Sequence, residues 1–260
     1  MDYRPSTNQS MYNYYLHALT YLTIKRKKLL DKLPLKKTKC NTFAILCEPR
    51  SGSTLLHTYL NSHPKIMSYG EVLREKIKAG VPDDVMTNCL TNFVFDFRSS
   101  TVHTVGLKLF YEYQKSPQYQ KHFASILQRK SIRIIHLVRK DTLKLFASLK
   151  MAQKTNIWSS NKSTQPLNEK INVDAEAYSK YAQDYIRHQH EFDELFKHHP
   201  VLKISYEDLV DNPVQTLEKV QLFLGVKPRK LFTLLKKQNS DSLESIILNY
   251  DEVKNYLFES

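Results

Sequence analysis

"TFAILCEPRSGSTLL", from Thr42 to Leu56, is the stretch on which the fold of this chain turns. Thr42 to Cys47 form an apolar run of strand length, as expected of a strand buried on both faces. Small residues follow, and Leu55, Leu56 and Tyr59 then recur at helical spacing. A strand that runs through a tight turn into a helix offers an anion several backbone N–H groups and the positive end of the helix. The turn carries one glycine, Gly52, and no lysine. In the phosphate loop G-x-x-x-x-G-K-[ST], aligning Gly52 with the second glycine puts Cys47 at the first. Ser53 then stands where the lysine belongs, and Thr54 matches the hydroxyl. The missing lysine disfavours a nucleoside triphosphatase. Arg50 supplies the positive charge instead, with a planar fork suited to a phosphate or sulfate.

The same alternation continues outward. "HPKIMSYGE" reads as a short strand ending near Glu71, and further strands are expected at Thr101–Phe110, at "SIRIIHLVRKD" and at "PVLKISYEDL". Helical patterns lie between them: "DTLKLFASLKMA" with Asp141 as N-cap, a long polar helix over Asn172–His198, and a helix ending at Gly225. Residues 71–100 read as an irregular excursion. The expected fold is α/β: a P-loop-NTPase-like three-layer arrangement with a central parallel sheet flanked by helices. One domain is expected over residues 1–260, with an N-terminal helical extension at 1–40 and a catalytic core at 42–253. Parallel sheets bind ligands at the carboxyl ends of their strands. Arg139 falls at such an end, with Ser148 in the helix that follows.

The 260 residues carry a formal net charge of +13, which favours an acidic partner: nucleic acid, an anionic membrane surface or a small polyanion. No nucleic-acid-binding motif accompanies the charge, so nucleic acid is not expected. Cys40, Cys47 and Cys89 have no metal-ligand spacing and read as packing residues in a reducing, cytoplasmic setting, with no metal expected. Tyr14–Ile24 is apolar but too short to span a bilayer. It reads first as an amphipathic helix docked on the protein and second as a membrane-surface helix; no integral membrane segment is expected.

At these residues the chain resembles the sulfotransferases that use 3′-phosphoadenosine 5′-phosphosulfate. "PRSGST" is similar to that family's 5′-phosphosulfate loop, in the arginine-bearing version of its bacterial and carbohydrate members. "VRKDTLKLFASLKMA" resembles its 3′-phosphate motif, "ISYEDLVDNPVQTLEKVQLFLGV" its late strand-helix unit, and "KKQNSDSLESIILNYDEV" its C-terminal end. The similarity is to the branch that includes nodulation-factor sulfotransferases. It implies transfer of a sulfuryl group from the phosphosulfate donor to a hydroxyl or amine of a small molecule or glycan, leaving 3′,5′-adenosine bisphosphate. It also implies donor contacts at Arg50, Ser51, Gly52, Ser53, Thr54, Arg139, Ser148 and Lys236.

Glu71, which follows the second strand, is the candidate base, and Lys108 in "GLKLF" can reach the transferring group. Should Glu71 not serve, His57, His63 and His103 are the alternatives; His57 reads as packing and His63 as a turn residue. The many Tyr and Phe residues suit sugars or phenols as well as a plain core, and a homodimer stays open. Two other readings remain, a P-loop-type kinase or NTPase and a basic nucleic-acid-binding module.

Overall fold

The structure, a computed structural model, describes residues 25–27, 29, 32, 35–156, 169–235 and 242–259. These fall into two compact units, one built from residues 20–140 and 190–233, the other from 141–189 and 234–260.

The strands, in chain order, are β1 Thr38–Lys39, β2 Asn41–Cys47, β3 Ile66–Ser68, β4 Arg98–Ser99, β5 Thr104–Phe110, β6 Arg133–Val138 and β7 Val201–Ser205. The helices used below are α1 Ser53–Ser62, α2 Val72–Lys78, α3 Asp83–Leu90, α4 Pro117–Leu127, α5 Thr142–Thr155, α6 Ala175–Leu195, α7 Tyr206–Asp211 and α8 Pro213–Phe223. In the first unit five strands form one sheet in the order β3-β5-β2-β6-β7. Each neighbouring pair is parallel, so all five carboxyl ends lie along one edge. The expected parallel sheet with flanking helices is thus observed. β2 is the middle strand, and Phe43 to Cys47 are at most 1% exposed, which is why that stretch is apolar without alternation.

One face of the sheet packs aromatic side chains. Tyr111 stacks on Phe192 with centroids 4.5 Å apart, and Phe123 meets Phe192 and Phe196 edge-on at 6.0 and 5.9 Å. A polar chain runs through the same layer. Tyr111 Oη is hydrogen-bonded to His136 Nε2; His136 Nδ1 lies 2.7 Å from Asp193 Oδ1; and Lys203 Nζ donates to Asp193 Oδ2 at 2.7 Å. Burial lowers the His136 pKa despite Asp193, so a neutral ring donates from Nδ1 and accepts the phenol proton at Nε2.

Residues 71–100, expected to be irregular, contain α2, α3, a π-turn over Thr91–Phe95 and β4. The helices are short and Pro82 and Gly80 separate them, so each shows only a fragment of a helical period; α3 buries only Met86 and Leu90. β4 pairs antiparallel with β1 beside the main sheet.

In the second unit Asp141 caps α5 as its sequence suggests, its carboxylate accepting from Lys144 N at 2.8 Å. Phe146, Ile171, Val173, Tyr178, Ile247 and Val253 form its core. Asn249 clasps Val173 from both sides, Oδ1 accepting from its N–H at 2.9 Å and Nδ2 donating to its carbonyl at 2.8 Å. The long helix expected over Asn172–His198 is α6, Ala175–Leu195. Cys40 and Cys47 are buried, and none of the three cysteines is in a disulfide. The helix read over Tyr14–Ile24 lies outside the described residues.

The central position of β2 yields a stability prediction. Leu46→Ala empties a site that is 1% exposed, and denaturant unfolding should show a loss of about 2–5 kcal/mol. Val214→Ala, at a site 76% exposed, should change stability by no more than about 0.5 kcal/mol.

Candidate active site

The chain leaves β2 at the carboxyl edge and turns through Glu48, Pro49, Arg50, Ser51 and Gly52 into α1. Two residues of this turn are left-handed: Gly52 at φ 90° and Arg50, unusually for a side-chain-bearing residue, at φ 70°. Left-handed residues flanking Ser51 fold the backbone into a concave loop, and concave loops of this kind bind anions through their N–H groups. Ser51 is fully buried and Ser53 nearly so, both against Cys47. Burial pushes the Cys47 thiol up to about 12, so it stays protonated.

Gly52 is required here for a second reason. A Cβ on it would fall 2.4 Å from Cδ2 of Tyr206, the first residue of α7 after β7. The other face of this neighbourhood is held by Arg139, just beyond β6. Its guanidinium carbon lies 4.6 Å from the Tyr206 ring centroid, and its Nη1 donates to the Arg50 carbonyl at 3.0 Å. Three strands therefore converge on one loop. The Arg139 side chain is close enough to disfavour the charge of Arg50: burial, and then Arg139, lower the Arg50 pKa to about 10, with Glu71 partly offsetting them.

A second cluster adjoins the loop. Lys108, on β5, is 3% exposed, and its Nζ donates to Thr54 Oγ1 at 2.9 Å and to Glu71 Oε1 at 3.4 Å. A lysine from the neighbouring strand thus reaches the start of α1. Glu71 is the residue before α2, and its other oxygen, Oε2, accepts from Arg74 Nη1 at 3.4 Å. Arg74 also pairs with Glu112 and lies over the Phe110 ring at 4.8 Å. Glu48 completes the carboxyl group of this edge: burial, followed by Glu112, pushes its pKa up to about 7.

The residues singled out in the sequence are therefore partly gathered. Arg50, Ser51, Gly52, Ser53, Thr54, Lys108, Glu71 and Arg139 meet at the carboxyl edge of the first unit. Ser148 lies in α5, in the second unit, and Lys236 lies outside the described residues. The three histidines have other employment. His57 Nδ1 is 2.7 Å from Ser68 Oγ, and its ring faces Gly70. His63 closes α1, accepting from Lys65 N at 3.0 Å on Nδ1 and donating to the Lys227 carbonyl at 3.2 Å from Nε2. His103 precedes β5 and so stands at the opposite, amino edge of the sheet. Tyr206, Arg74, Glu112 and Glu48 were not singled out in the sequence. Tyr206 carried a signal in "SYEDL", a residue at the end of a strand; the other three are ordinary charged residues until the fold places them. Among the described residues no group of three His, Cys, Asp or Glu side chains could hold a metal ion. No helix among them is long and apolar enough to cross a membrane.

Comparison with known proteins follows the same lines. Residues 43–229 match the model of the Sulfotransferase family. Nodulation protein H of Rhizobium meliloti (strain 1021) is 27% identical over 230 residues, covering 82% of this chain and 89% of that protein. Nodulation protein H of Rhizobium tropici is 27% identical over 228 residues, covering 82% and 88%. The crystal structure of a sulfotransferase from Alicyclobacillus acidocaldarius superposes with a TM-score of 0.51 at 14% identity, over 77% of this chain and 87% of that one, which shows a shared fold.

Two outcomes test the loop. Gly52→Ala meets both the φ of 90° and the Tyr206 ring, and should cost about 1–3 kcal/mol in thermal or denaturant unfolding; Tyr206→Ala should recover part of that loss but not the backbone strain. Glu48 gives a pH signature. Its folded pKa of about 7 exceeds the ordinary 4.5, so its contribution to stability is present below pH 4.5 and is lost as pH rises through 7. Relative to Glu48→Gln, the native protein should lose on the order of 2 kcal/mol between those limits, the partial exposure of the side chain reducing the full effect. Parallel stability curves for the two proteins would refute this.

Proposed function

The chain belongs to the Sulfotransferase family and is a sulfuryl-transferring enzyme, and from that premise we propose that it uses 3′-phosphoadenosine 5′-phosphosulfate and a hydroxyl- or amine-bearing small molecule or glycan as acceptor. The observation that carries this reading is the position of Lys108: one ammonium group joins the hydroxyl at the start of α1, Thr54, to the carboxylate of Glu71, beside the Arg50 loop. An anion-binding cation and a proton acceptor thus share one edge. The residues suit the donor in their charge: the cations around the loop are an arginine fork and a lysine.

When bound, the donor supplies an activated sulfuryl group on a phosphate leaving group. Transfer of this kind is catalysed chiefly by positioning and by stabilising charge. Arg50 and the N–H groups of residues 51–54 neutralise the negative charge that grows on the leaving oxygen. Lys108 stands over the same position through Thr54. Glu71 takes the proton from the attacking acceptor group at Oε1 or Oε2. Arg74 and Lys108, one on each oxygen, keep that carboxylate turned toward the loop. Arg139 takes the 3′-phosphate while its Nη1 holds the Arg50 carbonyl. Ser148 enters this reading through the sequence motif alone. Membership of the Sulfotransferase family supports an acceptor of the glycan or small-molecule kind.

The test separates the two phosphates and the base. Arg139→Ala should weaken 3′,5′-adenosine bisphosphate about 10–100-fold more than AMP, the size of a lost charged hydrogen bond. The loss for AMP measures the loop, and the difference measures the 3′-phosphate. Glu71→Gln should lower kcat about 10²–10⁴-fold and leave bisphosphate affinity unchanged. Equal losses for both nucleotides, or a Glu71→Gln enzyme within a few-fold of the parent, would overturn the respective assignment.

A further inference from the structure

The parallel sheet has two edges, and the site uses only the carboxyl one. At the amino edge, contacts draw basic residues from many parts of the first unit together. Lys27 is 6% exposed, and its Nζ donates to the carbonyls of Asn61 at 3.2 Å, His63 at 3.1 Å and Ile66, pinning helical residues Lys25–Lys27 to the end of α1. His63 reaches the Lys227 carbonyl, and Arg229 and Lys27 help lower its pKa after burial, the largest cause. The Lys65 carbonyl accepts from His103 N at 2.8 Å, and the His103 carbonyl accepts from Asn41 N at 2.9 Å. Arg133, at the start of β6, donates to the Leu224 carbonyl at 3.5 Å, next to Gly225.

Asp96, an acid near these groups, already has cationic neighbours. Asp96 pairs with Lys39 at 2.5 Å, which holds its pKa low, and Arg129 and Arg98 act on it in the same direction. Large apolar side chains stand in the open along the same edge. Leu29, two positions after the pinned lysine, is 62% exposed; Leu35, ahead of β1, is 56% exposed; and Phe232, whose N–H bonds Ser62 Oγ at the end of α1, is 64% exposed.

We propose that this amino edge docks on an anionic lipid bilayer. The charge alone would suit any polyanion. The interspersed Leu29, Leu35 and Phe232 do not: exposed aliphatic and aromatic side chains among lysines and arginines match the boundary between headgroups and acyl chains, where the cations meet phosphate and the apolar groups enter hydrocarbon. A nucleic acid offers its phosphates but no apolar layer for Leu29 and Leu35. Lys25 and Arg26, both exposed, extend the basic surface beside the pinned segment. Docked this way, the protein keeps its Arg50 loop on the aqueous side, open to a water-borne donor.

Flotation of the full chain with vesicles tests this. Vesicles rich in phosphatidylglycerol should carry the protein, pure phosphatidylcholine should not, and added salt should release it. Each cation removed from such a surface lowers partitioning about fivefold, so Lys65→Glu with Arg229→Glu should lower it at least ~25-fold. Phe232→Ser and Lys227→Glu, changed one at a time at exposed positions, should each weaken binding as well. Sulfuryl transfer to a dissolved acceptor should be unchanged in all of them, because they lie at the edge away from Arg50, Lys108 and Glu71. Absence of flotation on anionic vesicles, equal flotation on neutral ones, or variants that float like the parent would overturn the proposal. So would tighter binding to duplex DNA than to anionic vesicles at the same salt, which would make the edge a nucleic-acid surface.

Discussion

The missing side chain of Gly52 against the ring of Tyr206 is the constraint on which the site depends. A Cβ there would overlap the ring at 2.4 Å. Because glycine leaves that space, Tyr206 can press against the loop from β7 while Arg139 lies over its ring. The same arginine then takes the Arg50 carbonyl and closes the circle across β2, β6 and β7. The left-handed Arg50 is the strained member of this arrangement. A side chain at positive φ costs free energy that only surrounding contacts can offset, and such residues concentrate where a loop must hold one shape. Burial, and then the nearby Arg139 guanidinium, lower the Arg50 pKa.

The carboxyl edge is organised by alternating charge. From Thr54 the order runs Lys108, Glu71, Arg74, Glu112. Burying Lys108 at 3% exposure would be costly by itself, and a carboxylate partner with a hydroxyl acceptor makes it tolerable. The exposed ends of this row contribute little to stability. Its value lies in orientation, since each oxygen of Glu71 has its own donor and the carboxylate cannot rotate freely.

A parallel sheet also separates functions by geometry. Every strand begins at one edge and ends at the other, so loops at the carboxyl ends build the site, and residues before the strands face away from it. Lys65, His103 and Arg133 all precede or start strands, while Lys108, Arg139 and Tyr206 stand near or just past strand ends. Basic residues therefore stand at both edges of the sheet.

The sequence by itself determined the strand-turn-helix at Thr42–Leu56, the parallel sheet and the family, because these depend on local patterns: an apolar run, one glycine, an arginine before it and a hydroxyl after it. The cap at Asp141 was legible for the same reason. Residues 71–100 were not, because α2 and α3 are too short to display a full helical period. Only the tertiary structure decided that Lys108 meets Thr54, across 54 positions of chain. It alone removed His103 from the candidate bases, by setting it at the amino edge. It alone brought Tyr206 under Gly52 and Arg139 onto the Arg50 carbonyl. Such partners are chosen by the register of β2, β5, β6 and β7, and register is a property of the packed sheet rather than of any one strand.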